Sequence, residues 1–277
     1  MVTLPDQHAL TDEDRWEVFA IRYAVNPTAR ASDNFIGGDP HDGPMPLDYF
    51  IWVIRRSDRV IVVDTGFDRA TAVRRGREHL ACPGDTLRRI GVDPAGVEDV
   101  ILTHLHYDHA GNHGLFPRAL FHLQDREMAY ATGRSMTHRL LRAPYAAEDV
   151  AFMVHRLFDD RVRFHHGDWM LERGITVHLV GGHSDGLQVV RIWTARGWIV
   201  LASDASHFYA NMETGRCFPI VYSVGDMLEG YRTLHDLADS PDAIIPGHDP
   251  LVMRRYSSPQ ASLAGLVVRL DQPPALR

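Results

Sequence analysis

The stretch Thr103-His104-Leu105-His106-Tyr107-Asp108-His109 directly follows an apolar run at residues 97–102. It places three imidazoles and one carboxylate within six consecutive positions. Alternate side chains of an extended chain face the same way, so the first two histidines share a face, and the turn that follows can bring the aspartate and the last histidine beside them. Neutral imidazole and carboxylate are ligands of Zn²⁺ and related first-row divalent ions. The stretch therefore predicts a metal site at the end of a strand.

The number of candidate ligands in this cluster indicates more than one metal ion. A single catalytic ion with an open coordination position usually takes fewer protein ligands than the cluster offers, so two ions could share it. The other interpretation is a histidine run on the surface, in which Asp108 caps a short helix near Ala110. We favour the metal site because the cluster is so dense.

Composition limits the class of protein. With 277 residues, 45% of them hydrophobic, the chain can bury a substantial core, and we expect one domain over residues 1–277. The formal charge of −7 argues against a nucleic-acid partner. All 29 cationic residues are arginines, which excludes Schiff-base chemistry and lysine-dependent phosphate loops. Any carboxylate of a substrate must therefore be bound by arginine.

The sequence does not predict a targeting signal. Residues 1–16 are acidic and lack the basic segment and apolar core of a secretory signal. No apolar run approaches the ~20 residues of a membrane-spanning helix. The two cysteines, Cys82 and Cys217, lie far apart, which suits a reducing compartment. We expect a soluble, cytoplasmic protein without a membrane partner, and the composition leaves a homo-oligomer open.

The apolar patterns predict two halves, each a sheet followed by helices, packed sheet to sheet with the helices outside. In the first half, strands are predicted at residues 16–25, 49–55, 60–64, 97–102 and 119–123, and helices at 68–76 and 85–91. A helical insert follows at about 124–160, including a helix at 148–158. In the second half, strands are predicted at 175–180, 188–193, 198–202 and 243–245, and a helix at 226–238. The loop 26–46 is expected to cover the substrate, and His165-His166 is placed in a polar turn.

Three further polar residues each follow an apolar strand: His183, Asp204 and His248. Taken singly, the two histidines would more often be ordinary hydrogen-bonded turn residues, and the aspartate a cap. A site with two metal ions needs about three ligands per ion and a bridging carboxylate. These three residues supply the further ligands and the bridging carboxylate that the first cluster lacks.

The motif H-x-H-x-D-H, followed by His, Asp and His at successive strand ends, resembles the metallo-β-lactamase superfamily. The matching motifs extend from Asp64, in Val-Val-Asp-Thr-Gly, to His248. The resemblance implies an α+β fold, a four-layer αβ/βα sandwich, that holds two divalent ions, with Zn²⁺ expected ahead of Mn²⁺, Fe²⁺ or Co²⁺. It implies His104, His106 and His183 on the first ion, Asp108, His109 and His248 on the second, and Asp204 bridging both. Asp64 would orient a ligand histidine from behind.

Within this superfamily, the stretches at residues 103–112, 181–188 and 203–206 are similar to the acyl-homoserine lactonase branch. That similarity implies a quorum-quenching type of hydrolase, in which a hydroxide held between the metals opens a lactone and Asp108 passes a proton to the leaving alkoxide. The branch has a tyrosine three residues after the bridging aspartate, whereas this chain has His207 there and Tyr209 two positions further on. Either residue, or neither, assists catalysis.

Several alternatives remain open. Hydrolysis of a thioester or a cyclic amide is the nearest, because two metals distinguish these leaving groups only weakly. An iron-dependent redox enzyme is a second, although His106 occupies a position where the diiron redox branch places a carboxylate. A scaffold whose metals only stabilise the fold is a third. β-Lactam hydrolysis is disfavoured by the missing secretion signal and lysine, and phosphodiester cleavage by the negative charge.

Overall fold

Two β-sheets pack face to face in the computed structural model, which describes residues 10–38 and 42–275. The first sheet contains β1 (Glu17–Asn26), β2 (Leu47–Arg56), β3 (Arg59–Val63), β4 (Glu78–His79), β5 (Asp99–Ile101), β6 (Leu120–Gln124), β7 (Val162–His165) and β13 (Val267–Arg269). The second contains β8 (Trp169–Glu172), β9 (Ile175–Leu179), β10 (Gln188–Thr194), β11 (Gly197–Ser203) and β12 (Ile244–Pro246). The strand orders are β13-β1-β2-β3-β5-β6-β7, with β4 paired to β1, and β12-β11-β10-β9-β8.

Helices cover the outer faces of both sheets. The helices of the described residues are α1 (Ala31–Asn34), α2 (Arg69–Arg75), α3 (Pro83–Arg89), α4 (Tyr107–Ala110), α5 (Asp125–Thr132), α6 (Arg139–Arg142), α7 (Ala147–Phe158), α8 (Tyr209–Thr214), α9 (Val224–Leu237) and α10 (Leu251–Arg255). The insert predicted at 124–160 thus contains α5, α6 and α7. The start of α2 is capped by the Asp68 carboxylate, and its end by Gly76 in the left-handed region at φ +64°. Among the helices of the described residues, none is long and apolar enough to cross a membrane.

The layers follow from the alternation of side chains along the strands. In β2, Trp52 and Ile54 belong to the core between the two sheets, whereas Ile51 and Val53 belong to the core between the first sheet and helices α2, α3, α5 and α7. On the far side of the second sheet, α9 buries residues such as Leu234 against it. The order helices, sheet, sheet, helix confirms the predicted four-layer αβ/βα sandwich.

The predicted strands all occur, with their ends shifted by a few residues, but sequence patterns missed others. One is β7, where the pair His165-His166 was assigned to a turn: His165 ends the strand, and its ring stacks on Trp169 at a centroid distance of 3.6 Å. None of its four side chains is buried, so the strand lacks the apolar run that marks its neighbours. The short strands β4, β8 and β13 were missed as well, because two to four residues are too few to show a period.

Strand direction brings the candidate residues to one edge. β3 and β5 run parallel, so Asp64 and the His104 segment follow them at the same end of the first sheet. In the second sheet β11 and β12 are parallel, and β9 points the same way because both β9 and β11 pair antiparallel with β10. His183, Asp204 and His248 therefore leave the second sheet together.

Candidate metal centre

All the predicted metal ligands meet at this edge, and all are buried. One group consists of His104, His106, His183 and Asp204, whose ligand atoms lie within 4.8 Å of one another. A second group with the same spacing consists of Asp108, His109 and His248. These two groups contain the residues that the family resemblance assigns to the two ions, and a third possible group, Asp204, His207 and His248, overlaps both.

Asp204 lies between the two groups. Its Oδ1 is 3.2 Å from Nε2 of His109 and 3.1 Å from Nε2 of His248, both in the second group. Its Oδ2 is 3.2 Å from Nε2 of His183 and 3.9 Å from Nε2 of His104, both in the first. One carboxylate oxygen therefore faces each group, which is the arrangement of a bridging ligand.

Four of the histidine rings are held in place from outside the centre. Nδ1 of His183 donates to the carbonyl of Ile220 at 2.6 Å, and Nδ1 of His248 donates to that of Asp48 at 2.8 Å. Nδ1 of His109 lies 2.7 Å from the Asp64 carboxylate, and Nδ1 of His104 lies 3.0 Å from the Thr103 hydroxyl. With the proton on Nδ1 in each ring, the Nε2 lone pair points into the centre, as metal-binding histidines require.

The atoms that face the centre lack the hydrogen bonds that buried polar atoms normally make. Nε2 of His104, Nε2 of His109 and Oδ1 of Asp204 are buried without a hydrogen-bond partner among the described residues. Nδ1 of His106 lies only 2.8 Å from Nε2 of His183. Orphaned lone pairs converging in this way are costly in an empty protein interior and favourable around cations. The donor set fits two divalent ions.

Asp64 supports the centre from behind. Its carboxylate accepts hydrogen bonds from the backbone N–H of Thr103 at 2.8 Å and from the Thr103 hydroxyl at 2.9 Å, in addition to its contact with His109. The residue has φ +61°, a conformation that aspartate tolerates better than most residues. The turn after β3 therefore fixes both the β5 segment and one ligand ring.

Burial and mutual charge shift the pKa values of these groups in opposite directions. Burial, together with the neighbouring imidazoles, lowers the pKa of His104 and of His106 well below the usual value. Burial would also lower the pKa of His109, but the Asp204 and Asp108 charges raise it well above the usual value. Two histidines at least are thus neutral near pH 7 and available as ligands.

Glu127, on α5, was not identified from the sequence. The side chain is fully buried, and its carboxylate accepts four hydrogen bonds, from the backbone of Leu105 and Gly186 and from the hydroxyls of Tyr145 and Ser184. It thereby joins the segment between His104 and His106 to the loop that follows His183. Its sequence signal, one glutamate in a helical insert, is indistinguishable from that of a surface residue.

The two candidates for a catalytic role beyond Asp108 are placed differently. His207 lines the cavity beside the centre, with Nε2 2.9 Å from Oδ2 of Asp204, and it forms a third possible ligand group with Asp204 and His248. Its ring stacks on Phe218. Tyr209 does not line that cavity: it begins α8, its hydroxyl is buried, and the Arg255 guanidinium lies over its ring. The structure thus does not bring Tyr209 to the centre.

A cavity of about 580 Å³ opens above the metal ligands. Asp108, His183 and His248 are part of its floor. The walls come from the loop 26–46, from the insert at 124–160 and from the segment after α8, through residues that include Asn26, Asn34, Tyr130, Leu141, Phe218 and Tyr222. Residues of the loop that the sequence predicts to cover a substrate thus line the cavity.

Comparison with known proteins defines the family. The model of the metallo-beta-lactamase superfamily matches residues 45–260, which is most of the chain. The protein therefore belongs to the metallo-beta-lactamase superfamily, as its motifs had predicted.

Two relatives narrow the similarity. The N-acyl homoserine lactonase AttM of Agrobacterium fabrum is 28% identical over 171 residues, which are 60% of this chain and 63% of AttM. The N-acyl homoserine lactonase AiiA of Bacillus thuringiensis subsp. kurstaki is 27% identical over 182 residues, 60% of this chain and 67% of AiiA. The matched segment thus spans less than two thirds of the length of AttM.

Solved structures agree on the fold. A crystal structure of a quorum-quenching N-acyl homoserine lactone lactonase superposes with a TM-score of 0.71 at 22% identity and covers 87% of this chain and 95% of that chain. AidC, a dizinc quorum-quenching lactonase in complex with a product, superposes with a TM-score of 0.64 at 16% identity and covers 85% and 88%. At these identities the likeness establishes the fold.

Proposed function

We propose that this protein is a dinuclear metal hydrolase that opens a lactone ring. The observation that carries the proposal is the position of Asp204 between two groups of potential ligands on the floor of a cavity large enough for a small organic substrate. The sequence similarity to N-acyl homoserine lactonases favours a lactone over other substrates of the superfamily. It also favours hydrolysis over an iron-dependent redox reaction.

The ligand set suits Zn²⁺, because it consists of imidazoles and carboxylates without a thiolate. The dizinc relative AidC supports the same metal, and Mn²⁺, Fe²⁺ and Co²⁺ stay as alternatives. When bound, a pair of divalent ions acidifies water and polarises a carbonyl oxygen. The protein's own residues must then place the ester group and move one proton.

Asp108 is suited to the proton transfer. It lines the cavity, and its Oδ2 lies 3.8 Å from Nε2 of His109 and 3.8 Å from Nε2 of His248. In the proposed reaction a water molecule loses a proton to Asp108, and its oxygen bonds to the lactone carbonyl carbon. The bond between that carbon and the ring oxygen then breaks, and Asp108 returns the proton to the ring oxygen. The product is one hydroxy acid.

His207 holds Asp204 in position in this scheme. Burial lowers the pKa of His207 to about 3, with the opposing effect of Asp204 already included, so the ring is neutral at physiological pH. A neutral ring with Nε2 beside Oδ2 of Asp204 donates its N–H to that carboxylate. His207 is therefore better suited to orient the bridging ligand than to protonate a leaving group.

The test is acid release from a panel of lactones by the purified, metal-analysed protein. We expect turnover with about two equivalents of metal bound, loss of turnover after chelation, and its return when metal is added back. Folded protein with two metals and no activity on any lactone would contradict the proposal. A parallel assay for thiol release from thioesters decides whether the alternative leaving group is the true one.

A further inference from the structure

Two arginines line the cavity above the candidate metal centre, and they are bound in different ways. The guanidinium of Arg75 donates from Nη1 to the carbonyl of Ala143 at 2.7 Å and from Nη2 to the carbonyl of Tyr145 at 3.1 Å. It also lies over the ring of Tyr107, at 4.2 Å from the centroid. Arg75 is therefore used within the protein, where it attaches the insert to α2.

Arg77 is half-buried and has no comparable partner. The one hydrogen bond that its side chain makes to the described residues runs from Nε to the hydroxyl of Tyr107, at a long 3.4 Å. It forms no ion pair with a carboxylate of residues 10–38 or 42–275. Both Nη atoms keep their N–H groups for another acceptor, and the side chain lines the cavity, so that acceptor can be a ligand.

Arg77 lies close to the metal centre. The Tyr107 hydroxyl that it contacts is 3.5 Å from the hydroxyl of Tyr49, and the Tyr49 ring packs against the ring of His248 at a centroid distance of 5.0 Å. The guanidinium is fully charged: burial opposes the charge, but Tyr49, Tyr107 and Asp108 keep the pKa of Arg77 above its usual value. One molecule in the cavity can thus reach both the centre and this cation.

Among the described residues, no carboxylate of the cavity forms an ion pair with Arg77. Among the described lining residues the carboxylates are Asp33, Asp108 and Asp204. Asp108 and Asp204 belong to the ligand groups, and Asp33 accepts a hydrogen bond from the backbone of Arg30. Arg75 has backbone carbonyls as acceptors, but the Nη atoms of Arg77 have no acceptor among the described residues, and a partly buried charge is stabilised when it gains one.

We propose that Arg77 binds a carboxylate of the substrate, distinct from the carbonyl that is hydrolysed. A guanidinium recognises a carboxylate through two parallel N–H bonds, and the free Nη atoms supply such a pair of donors. This inference rests on the proposed function and narrows it to lactones that carry a free carboxylate near the ring. Arg77 would then determine specificity and take no part in bond breaking.

The first experiment compares two substrates of equal shape. One is a γ-lactone with a carboxylate on the carbon beside the ring oxygen, and the other is the same lactone with a primary amide there. We expect the wild type to prefer the acid by more than about tenfold in kcat/KM, and Arg77→Met to lower kcat/KM for the acid by about 30-fold while the amide changes less than about threefold. Equal losses on both substrates, or no preference in the wild type, would overturn the inference.

Two further variants separate charge recognition from folding. Arg77→Lys keeps the charge but loses the paired donors, so we expect it to recover part of the preference for the acid. Arg74→Met changes an exposed arginine of α2, whose guanidinium contacts Thr71, and should behave as the wild type. If circular dichroism shows that Arg77→Met is unfolded, two results still test the inference. They are the preference of the wild type for the acid and the reduced preference expected of Arg77→Lys.

A binding experiment distinguishes failure of this inference from failure of the proposed function. Calorimetry on the metal-loaded protein compares glutarate, which has two carboxylates, with butyrate, which has one. We expect glutarate to bind more than about tenfold tighter than butyrate to the wild type. In Arg77→Met the two acids should bind alike. If no lactone is hydrolysed but this difference appears, the lactonase function fails and the anion site stands. If lactones are hydrolysed and the two acids bind alike, only the anion site fails.

Discussion

The floor and the walls of the cavity are built from different kinds of structure. On the floor, side chains at strand ends are buried and have one ring nitrogen fixed by a neighbouring oxygen, as in His183 and His248. On the walls, Leu140, Ile220 and Tyr222 come from loops and short helices and are 79%, 47% and 43% exposed. The contrast teaches that the sheet edges fix the buried potential metal ligands, whereas the shape of the cavity depends on exposed loops and short helices.

Among substitutions on the cavity floor, the largest effect is expected when the charge of Asp204 is removed. In Asp204→Asn, one uncharged oxygen must serve two ligand groups, and we expect kcat/KM to fall by about 10³-fold and the bound metal to drop below two equivalents. Lactone turnover and elemental analysis measure the two effects. Asp236→Asn, an exposed aspartate of α9, is the matched control. Full activity with both metals retained would show that Asp204 does not bridge.

Asp64→Asn tests the support beneath the floor without touching the ligand groups themselves. Asparagine tolerates the left-handed backbone at this position, so the main loss is the charged acceptor for His109. We expect metal affinity to fall by about 10- to 100-fold, as for other partners of metal-binding histidines. Competition with a chromophoric chelator measures it. An unchanged affinity would mean that the carboxylate serves only the turn.

Sequence patterns alone could indicate which residues meet on the floor, for a physical reason. Metal ligands must be His, Asp or a few other types, and the short spacing from His104 to His109 is visible along the chain. Strand ends are also recognisable, so His183, Asp204 and His248 stood out. Glu127 was invisible because its four hydrogen-bond partners lie up to 59 positions away, and nothing local marks its side chain as buried. The wall loops lack any period, so their contacts arise from tertiary packing alone.

His207 lies where the floor of the cavity meets its walls, and His207→Gln tests whether this residue orients Asp204 or donates a proton. Because the pKa of His207 is lowered to about 3, the ring stays neutral throughout the pH range of an ordinary assay. We therefore expect a loss of about tenfold in kcat/KM, from a less well oriented Asp204, that is the same from about pH 6 to about pH 9. If the profile of kcat/KM against pH lost one of its two limbs in His207→Gln, that result would instead identify His207 as a proton donor.

Glu127→Gln probes how firmly the floor is joined to the insert. The glutamine amide would turn an N–H group toward donors that now bind the carboxylate, such as Ser184 and Gly186. We expect the free energy of unfolding to fall by about 1–3 kcal/mol, the usual cost of an unsatisfied buried donor. Urea unfolding followed by circular dichroism measures the change, with Glu148→Gln on the exposed face of α7 as control. Equal stability of the two variants would contradict this role.

The smallest effect is expected for Tyr209→Phe. The hydroxyl of Tyr209 is buried without a hydrogen-bond partner among the described residues, and the side chain does not line the cavity. Its removal leaves the packing of the ring beneath Arg255 intact and exposes no donor or acceptor. Lactone turnover should therefore stay within about twofold of the wild type, a difference well under 1 kcal/mol in transition-state free energy. A loss of tenfold or more would mean that α8 moves when substrate binds and brings this hydroxyl to the metal centre.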